Sequence, residues 1–235
     1  MPDIIQTLWI GERLSTLERL AITSFVRCGH EVHLYAYDDI ACVPSGTIVR
    51  DANEILPASA IFRYREQPSF AGFSNFFRYK LLLERGGWWC DADVVCLRPF
   101  DFASDFVFAR ELSNGSEVMT ACVIKAPRAS EPMAWAWRTC ESKDPASLKW
   151  GETGSALLTE LVRRFALEPH VQPAHTFCPI RDHAWVSLTA ADAPPLPDDA
   201  YAIHFWNERW RRNARDKDAT FPRDSLYEQL KRRYL

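Results

Sequence analysis

"GGWWCDADVVCLRPF", residues 86–100, sets two aspartates two positions apart inside an otherwise apolar run. Asp91 and Asp93 follow Trp88, Trp89 and Cys90 and precede Val94, Val95, Cys96 and Leu97. The plain reading is a turn, because Asp favours strand ends and chain reversals. The sharper reading is a divalent cation at the edge of a sheet. A carboxylate buried without a partner costs several kcal/mol, so this pair needs a cation, an arginine or backbone donors. Read as one strand, "WWCDADVVCL" alternates so that both aspartates face one side and converge on one hard ion, Mg²⁺ or Mn²⁺. A second D-x-D, Asp216-Lys217-Asp218, lies in a hydrophilic stretch and reads as solvent-facing.

Upstream, "FSNFFRYKLLLERGG" (73–87) predicts a helix with Ser74 as N-cap and Gly86 as its end. Asn75 and Arg78 are three apart and share a face near its start. A helix N-terminus, an arginine and a cation in one cleft form a receptor for a diphosphate. The plainer reading of Arg78 is a surface charge, against which stand its neighbours Phe76, Phe77, Tyr79 and Leu81.

Outward from there, strands alternate with helices. "IIQTLWI" (4–10), "LSTLERLAITSFVRCG" (14–29) and "EVHLYAY" (31–37) predict a β-α-β opening. "DANEILP" reads as helix-like, and a linker runs through Pro68. "FVFAR" and "MTACVIKAP" predict strands, "EPMAWAWRTCES" and "TGSALLTELVRRF" helices. A proline-rich loop (193–197) precedes a last strand, "YAIHFW" (201–206), and a short helix follows from Asp224. The pattern is an α/β fold with a Rossmann-like, mostly parallel central sheet flanked by helices.

The chain has 235 residues, 47% hydrophobic and 25% charged, which is globular composition, and it can bury roughly 70–75% of its unfolded surface. No apolar run approaches the ~18 residues of a membrane span, and "MPDIIQTLWIGERL" lacks the basic start of a signal peptide. Seven cysteines (28, 42, 90, 96, 122, 140, 178) are scattered without a C-x-x-C pair, which suits free thiols in a reducing cytosol. The expected location is therefore cytoplasmic. Net charge is −3, yet the stretch from Glu208 onward holds nine Lys/Arg against five Asp/Glu. Such a tail is usually a solvated face; the alternative is contact with an anionic acceptor or with the inner face of a membrane. Nothing in the sequence suggests nucleic acid as a partner.

"FSNFFRYKLLLERGGWWCDADVVCLRPF" resembles the core of the D-x-D glycosyltransferases of the capsular-polysaccharide and α-mannosyltransferase type, glycosyltransferase family 32 and its relatives. Three further blocks are similar to family segments in the expected order: "IIQTLWIGERLS", "TGSALLTE" and "YAIHFWNERW". The resemblance implies a GT-A fold, a nucleotide-sugar donor (UDP- or GDP-linked), a Mn²⁺ or Mg²⁺ cofactor, a glycan or glycolipid acceptor and retention at the anomeric carbon. It implies one domain, with residues 1–100 as the nucleotide-sugar half, 101–207 as the acceptor-side half and 208–235 as a basic tail. Carried over, Trp9 stacks on the base; Trp89 and Asn75 belong to the donor site; Arg78 contacts the donor sugar and diphosphate. Asp91 supports the metal and binds sugar or ribose, Asp93 coordinates the metal, and His204 approaches metal or diphosphate.

Two departures stand out: Asn75 replaces the family's aspartate, and Ser155 replaces the proline of Thr-Gly-Pro. Glu152, Thr153 and Gly154 are candidates for the acceptor side. Plainer readings stay open, with Trp9 as core, His204 as a satisfied core histidine and Glu152 as a first-turn helix acid. So do two other functions. One is a non-catalytic nucleotide-sugar or glycan-binding protein. The other is a haloacid-dehalogenase-type phosphatase, in which the first Asp of D-x-D-x-[TV] is the nucleophile.

Overall fold

The computed structural model describes residues 4–113, 115–192 and 195–235. In chain order the elements are β1 (Ile5–Trp9), α1 (Thr16–Arg27), β2 (Val32–Ala36), β3 (Thr47–Asp51), α2 (Ala71–Arg85), β4 (Gly87–Cys90), β5 (Val94–Cys96), β6 (Val107–Ser113) and β7 (Ser116–Ala126). There follow α3 (Glu131–Glu141), α4 (Leu157–Arg164), α5 (Ala174–Phe177), β8 (Ala202–His204), α6 (Asn207–Arg212) and α7 (Leu226–Tyr234). Six strands form one sheet in the order β3-β2-β1-β4-β7-β6; β5 and β8 form a separate antiparallel pair. β3, β2, β1 and β4 run parallel, and only β7 opposes them in the large sheet. This is the expected α/β architecture with a mostly parallel sheet.

Strand alternation sends consecutive tryptophans to opposite faces. Trp89 packs with Phe73, Phe77 and Ile124 under α2, α3 and α4, whereas Trp88 packs with Ile5, Phe25 and Phe100 under α1. Gly86 and Gly87 join α2 to β4 with φ of 68° and 83°. A Cβ on Gly86 would lie 2.5 Å from the Arg128 backbone nitrogen, so the turn needs glycine for both conformation and room.

The segment 88–97 is two strands, not the single one expected. β4 ends at Cys90, where Asp91 N–H donates to the Cys122 carbonyl at 2.8 Å; Val94 N–H then closes a turn on the Asp91 carbonyl at 3.0 Å. The turn reading and the carboxylate-pair reading therefore hold together. α2 starts at Ala71, three residues before the expected cap; Ser69 Oγ accepts from Ala71 N–H, and Ser74 lies inside the helix, accepting from Arg78. β3 was not expected: it is an edge strand with Ile48 and Val49 exposed, so it lacks an alternating pattern. "DANEILP" forms only a short 3₁₀ turn capped by Asp51. Residues 193 and 194 of the expected proline-rich loop, like residues 1–3 of the amino-terminal segment, lie outside the described residues.

The basic tail is not a free, solvated strand. α7 packs Leu226, Tyr227 and Leu230 with Leu17, Leu20 and Trp210. Lys217 pairs with Glu18, which is fully buried in the capping box of α1, and Asp218 accepts from Thr16 N–H and Oγ–H at 2.7 Å each. The second D-x-D, expected to face solvent, thus fastens the tail to the start of α1. Its attraction is the buried Glu18 carboxylate and the open N–H groups of that helix. Among the described residues no helix is long and apolar enough to cross a membrane. All seven cysteines are free.

Candidate active site

The chain leaves β1 toward β2 and β3 on one side and returns to β4 on the other. β1 and β4 are thus a topological switch point, where the carboxyl ends of parallel strands open a crevice. Trp9 ends β1 there, and Asp91 follows the end of β4. A cleft of about 960 Å³ occupies this position, with Trp9, Arg78, Trp89, Asp91, Asp93 and His204 all in its wall.

Asp91 is held by three groups. Its Oδ1 accepts from Arg78 Nη2 at 2.9 Å and from Trp89 Nε1 at 2.7 Å, and its N–H is bonded to β7. Arg78 is fixed in turn by the Ala121 carbonyl (2.7 Å), Ser74 Oγ (3.1 Å) and the Trp89 ring, 4.9 Å from its guanidinium carbon. It lies 4% exposed, a buried group as its apolar neighbours suggested. Its guanidinium is committed to Asp91, so its first action is to orient that carboxylate.

Asp93 is reached from the far end of the chain. β8 pairs with β5, so His204 lies opposite Val94, and His204 Nε2 stands 3.5 Å from Asp93 Oδ2. Asn207 N–H donates to the same carboxylate, and Phe205 N–H to the Asp93 carbonyl at 3.0 Å. Burial works to raise the Asp93 carboxyl, but His204, the Asn207 N–H and Lys217 outweigh it and hold the group below its ordinary range. Asp91 moves the other way: burial raises it, and Arg78 offsets this only in part. Burial pushes His204 down, but Asp93, Cys122 and Glu111 together hold the imidazole well above its ordinary value.

Asp91, Asp93 and His204 fit a divalent cation. One ligand atom from each lies within 4.8 Å of the others, two are carboxylate oxygens suited to a hard ion, and the third is an imidazole nitrogen. A metal would take the place of the imidazole proton.

The remaining expected residues fall in different places. Trp9 is half-buried, donates from Nε1 to the Arg13 carbonyl at 3.1 Å, and carries Lys217 Nζ 5.3 Å above its ring. Asn75 is buried behind the cleft wall and donates to Thr153 Oγ1 at 3.3 Å. Gly154 sits against Asn75: a Cβ there would be 3.2 Å from its side-chain nitrogen. Glu152 turns away to Lys143, at 2.8 Å, and to the Lys149 N–H.

Glu111 carried no signal in the sequence, and Trp206 carried one only as part of the similar block "YAIHFWNERW". Glu111 accepts from Trp206 Nε1 at 3.2 Å and stands 3.8 Å from His204 Nδ1; Trp206, left-handed at φ 47°, sets its ring tilted against that of His204, centroids 4.9 Å apart. Lys217 had a signal, its place in the second D-x-D, which read as solvent-facing.

A switch-point cleft with a fixed Asp-x-Asp turn is the arrangement expected of the D-x-D glycosyltransferases of GT-A fold. Residues 36–112 match the family model for the glycosyltransferase sugar-binding region containing the DXD motif, which covers Asn75, Arg78, Asp91 and Asp93. No curated protein matches the chain in sequence. Among solved structures the fold is similar to PaToxG glycosyltransferase, at 14% identity over 70% of this chain and 69% of that one, with a TM-score of 0.50. It is also similar to the apo form of the glycosyltransferase GlyE of Streptococcus pneumoniae TIGR4, at 12% identity and a TM-score of 0.50. That likeness covers 100% of this chain but 63% of GlyE, so the chain spans less than two thirds of that relative's length. Residues 36–112 thus carry the DXD-containing sugar-binding region, and the chain as a whole has the fold seen in those glycosyltransferase structures. Against the phosphatase alternative stand the place of Asp91, after the fourth strand, and the bonds of its Oδ1 to Arg78 and Trp89.

Proposed function

We propose that the chain moves a hexosyl group from a UDP- or GDP-sugar to a hydroxyl of a cell-surface glycan or glycolipid at the cytoplasmic side of the membrane. Retention at the anomeric carbon rests on the resemblance to retaining families. The observation that carries the reading is the convergence of Asp91, Asp93 and His204 in one cleft with Trp9. The whole chain acts as one unit: residues 1–100 bring Trp9 and the aspartates, 101–207 bring Glu111 and His204, and 208–235 bring Asn207's neighbours and Lys217.

Asp93, Asp91 and His204 would hold Mn²⁺ or Mg²⁺, which supplies positive charge to the departing diphosphate. Arg78 and Trp89 fix Asp91, and the Asn207 N–H fixes Asp93, so the carboxylates need not reorganise as charge develops. Lys217, seated over the Trp9 ring, adds a cation where base meets phosphate.

The test incubates the protein with a panel of UDP- and GDP-sugars and Mn²⁺ and follows sugar release by proton NMR. Hydrolysis of one donor, with the α- or β-anomer of the donor formed first, supports a retaining transferase. A protein that gains thermal stability from nucleotide yet hydrolyses no donor is the non-catalytic binder instead.

A further inference from the structure

The arginines of the C-terminal stretch lie in the cleft wall, yet the donor site just described uses none of them. α6 presents Arg211 and Arg212, and the loop before α2 presents Arg63. Between them stands Trp150, 47% exposed, a large apolar plane in the wall of a polar cleft. Arg212 lies 4.4 Å over its ring, and the buried Tyr64 ring supports it at 5.2 Å.

The charges here do not balance. Among the described residues Glu208 is the one carboxylate paired with Arg211 and Arg212, and it also accepts from Ser69; Arg212 donates further to the neutral Gln67 side chain. Arg63 faces the Phe70 ring at 4.4 Å and has no carboxylate partner among the described residues. Three guanidiniums thus share one carboxylate, and an anion in the cleft relieves their repulsion and draws Arg212 off the face of Trp150 that it now covers. An indole face takes the apolar face of a pyranose, while planar guanidiniums take a carboxylate or phosphate through paired hydrogen bonds.

We propose that Trp150, Arg63, Arg211 and Arg212 form the acceptor subsite, and that the acceptor sugar is acidic, with its carboxylate or phosphate held by the arginines and its ring on Trp150. This rests on the transferase reading above and names its substrate class. It also moves the acceptor contacts from Glu152–Gly154 to Trp150, just before them, the residue of that segment that lines the cleft.

The experiment offers three oligosaccharide acceptors that differ only at the terminal sugar: glucuronate, its carboxyl-reduced glucose form and glucose phosphate. Transfer and donor hydrolysis are measured side by side with the donor found active above. The expected result is a KM for at least one acidic acceptor lower than the neutral one by roughly tenfold, shrinking as salt rises. Which acid wins distinguishes carboxylate from phosphate. Trp150→Ala lowers the ratio of transfer to hydrolysis by about tenfold. Arg63→Gln with Arg212→Gln removes the acidic preference. Preference for the neutral acceptor, no transfer to either acid while donor hydrolysis proceeds, or equal loss of transfer and hydrolysis in the variants would overturn the proposal. Absence of donor hydrolysis in the wild type would instead refute the transferase reading beneath it.

Discussion

Asp93 has the fewest substitutes of any group in the cleft. Asn keeps its volume and one carbonyl oxygen for the Asn207 N–H, but removes the charge that holds a hard cation. Asp93→Asn is expected to leave the circular dichroism spectrum unchanged and to slow donor hydrolysis by at least roughly 10²–10³, the cost of one preorganised electrostatic element. Asp216→Asn is the matched control, since among the described residues Asp216 is bonded only to the Asp218 N–H, and its rate should equal wild type. An active Asp93→Asn protein places the chemistry elsewhere. Trp9→Ala should weaken UDP or GDP binding by roughly 1–3 kcal/mol in calorimetry, the range for one base–aromatic stack. A variant that fails to fold would mark Trp9 as core instead. At this scale the sequence was informative where a residue's neighbours were incongruous, as with carboxylates among tryptophans. It was silent on Glu111, and it offered Trp206 only within the similar block "YAIHFWNERW", because the bond between the two is a pairing that the fold creates.

Two connections between elements position those residues. The first is the Gly86–Gly87 turn, which delivers β4 and therefore the aspartate turn. Gly86→Ala puts a methyl against the Arg128 backbone at a φ of 68°, which should cost roughly 1–3 kcal/mol and shift β4 against β7. Urea unfolding is expected to show the loss; unchanged stability would mean that the turn has slack. The second is the bond between tail and α1. Lys217→Ala leaves the fully buried Glu18 without its cation and should destabilise by about 3 kcal/mol, with a weaker affinity for nucleotide as the cleft loses the positive charge beside Trp9. Equal stability and affinity in this variant would show that the tail docks through α7 alone. The glycine end of α2 at Gly86 could be read locally, though its start at Ala71 could not. The strand break at Cys90 could not, because it depends on where Cys122 and Phe205 present their backbone groups.

Across the whole molecule, the site is assembled from both ends of the chain: β1 supplies Trp9, β4 the aspartates, β8 His204, and the segment after α6 Lys217. Alternation of strands and helices made the parallel sheet legible, since period and spacing are local properties. The tail's role was not legible, because a hydrophilic run looks alike whether it faces water or a buried glutamate. The central claim is that one cation joins the aspartates to a nucleotide diphosphate. It is tested most directly by titrating UDP and GDP into the protein by calorimetry, once with Mn²⁺ and once with EDTA. One nucleotide should bind at least roughly tenfold more tightly with Mn²⁺, and the gain should vanish in Asp93→Asn. Equal affinity in Mn²⁺ and EDTA for both nucleotides would contradict the claim.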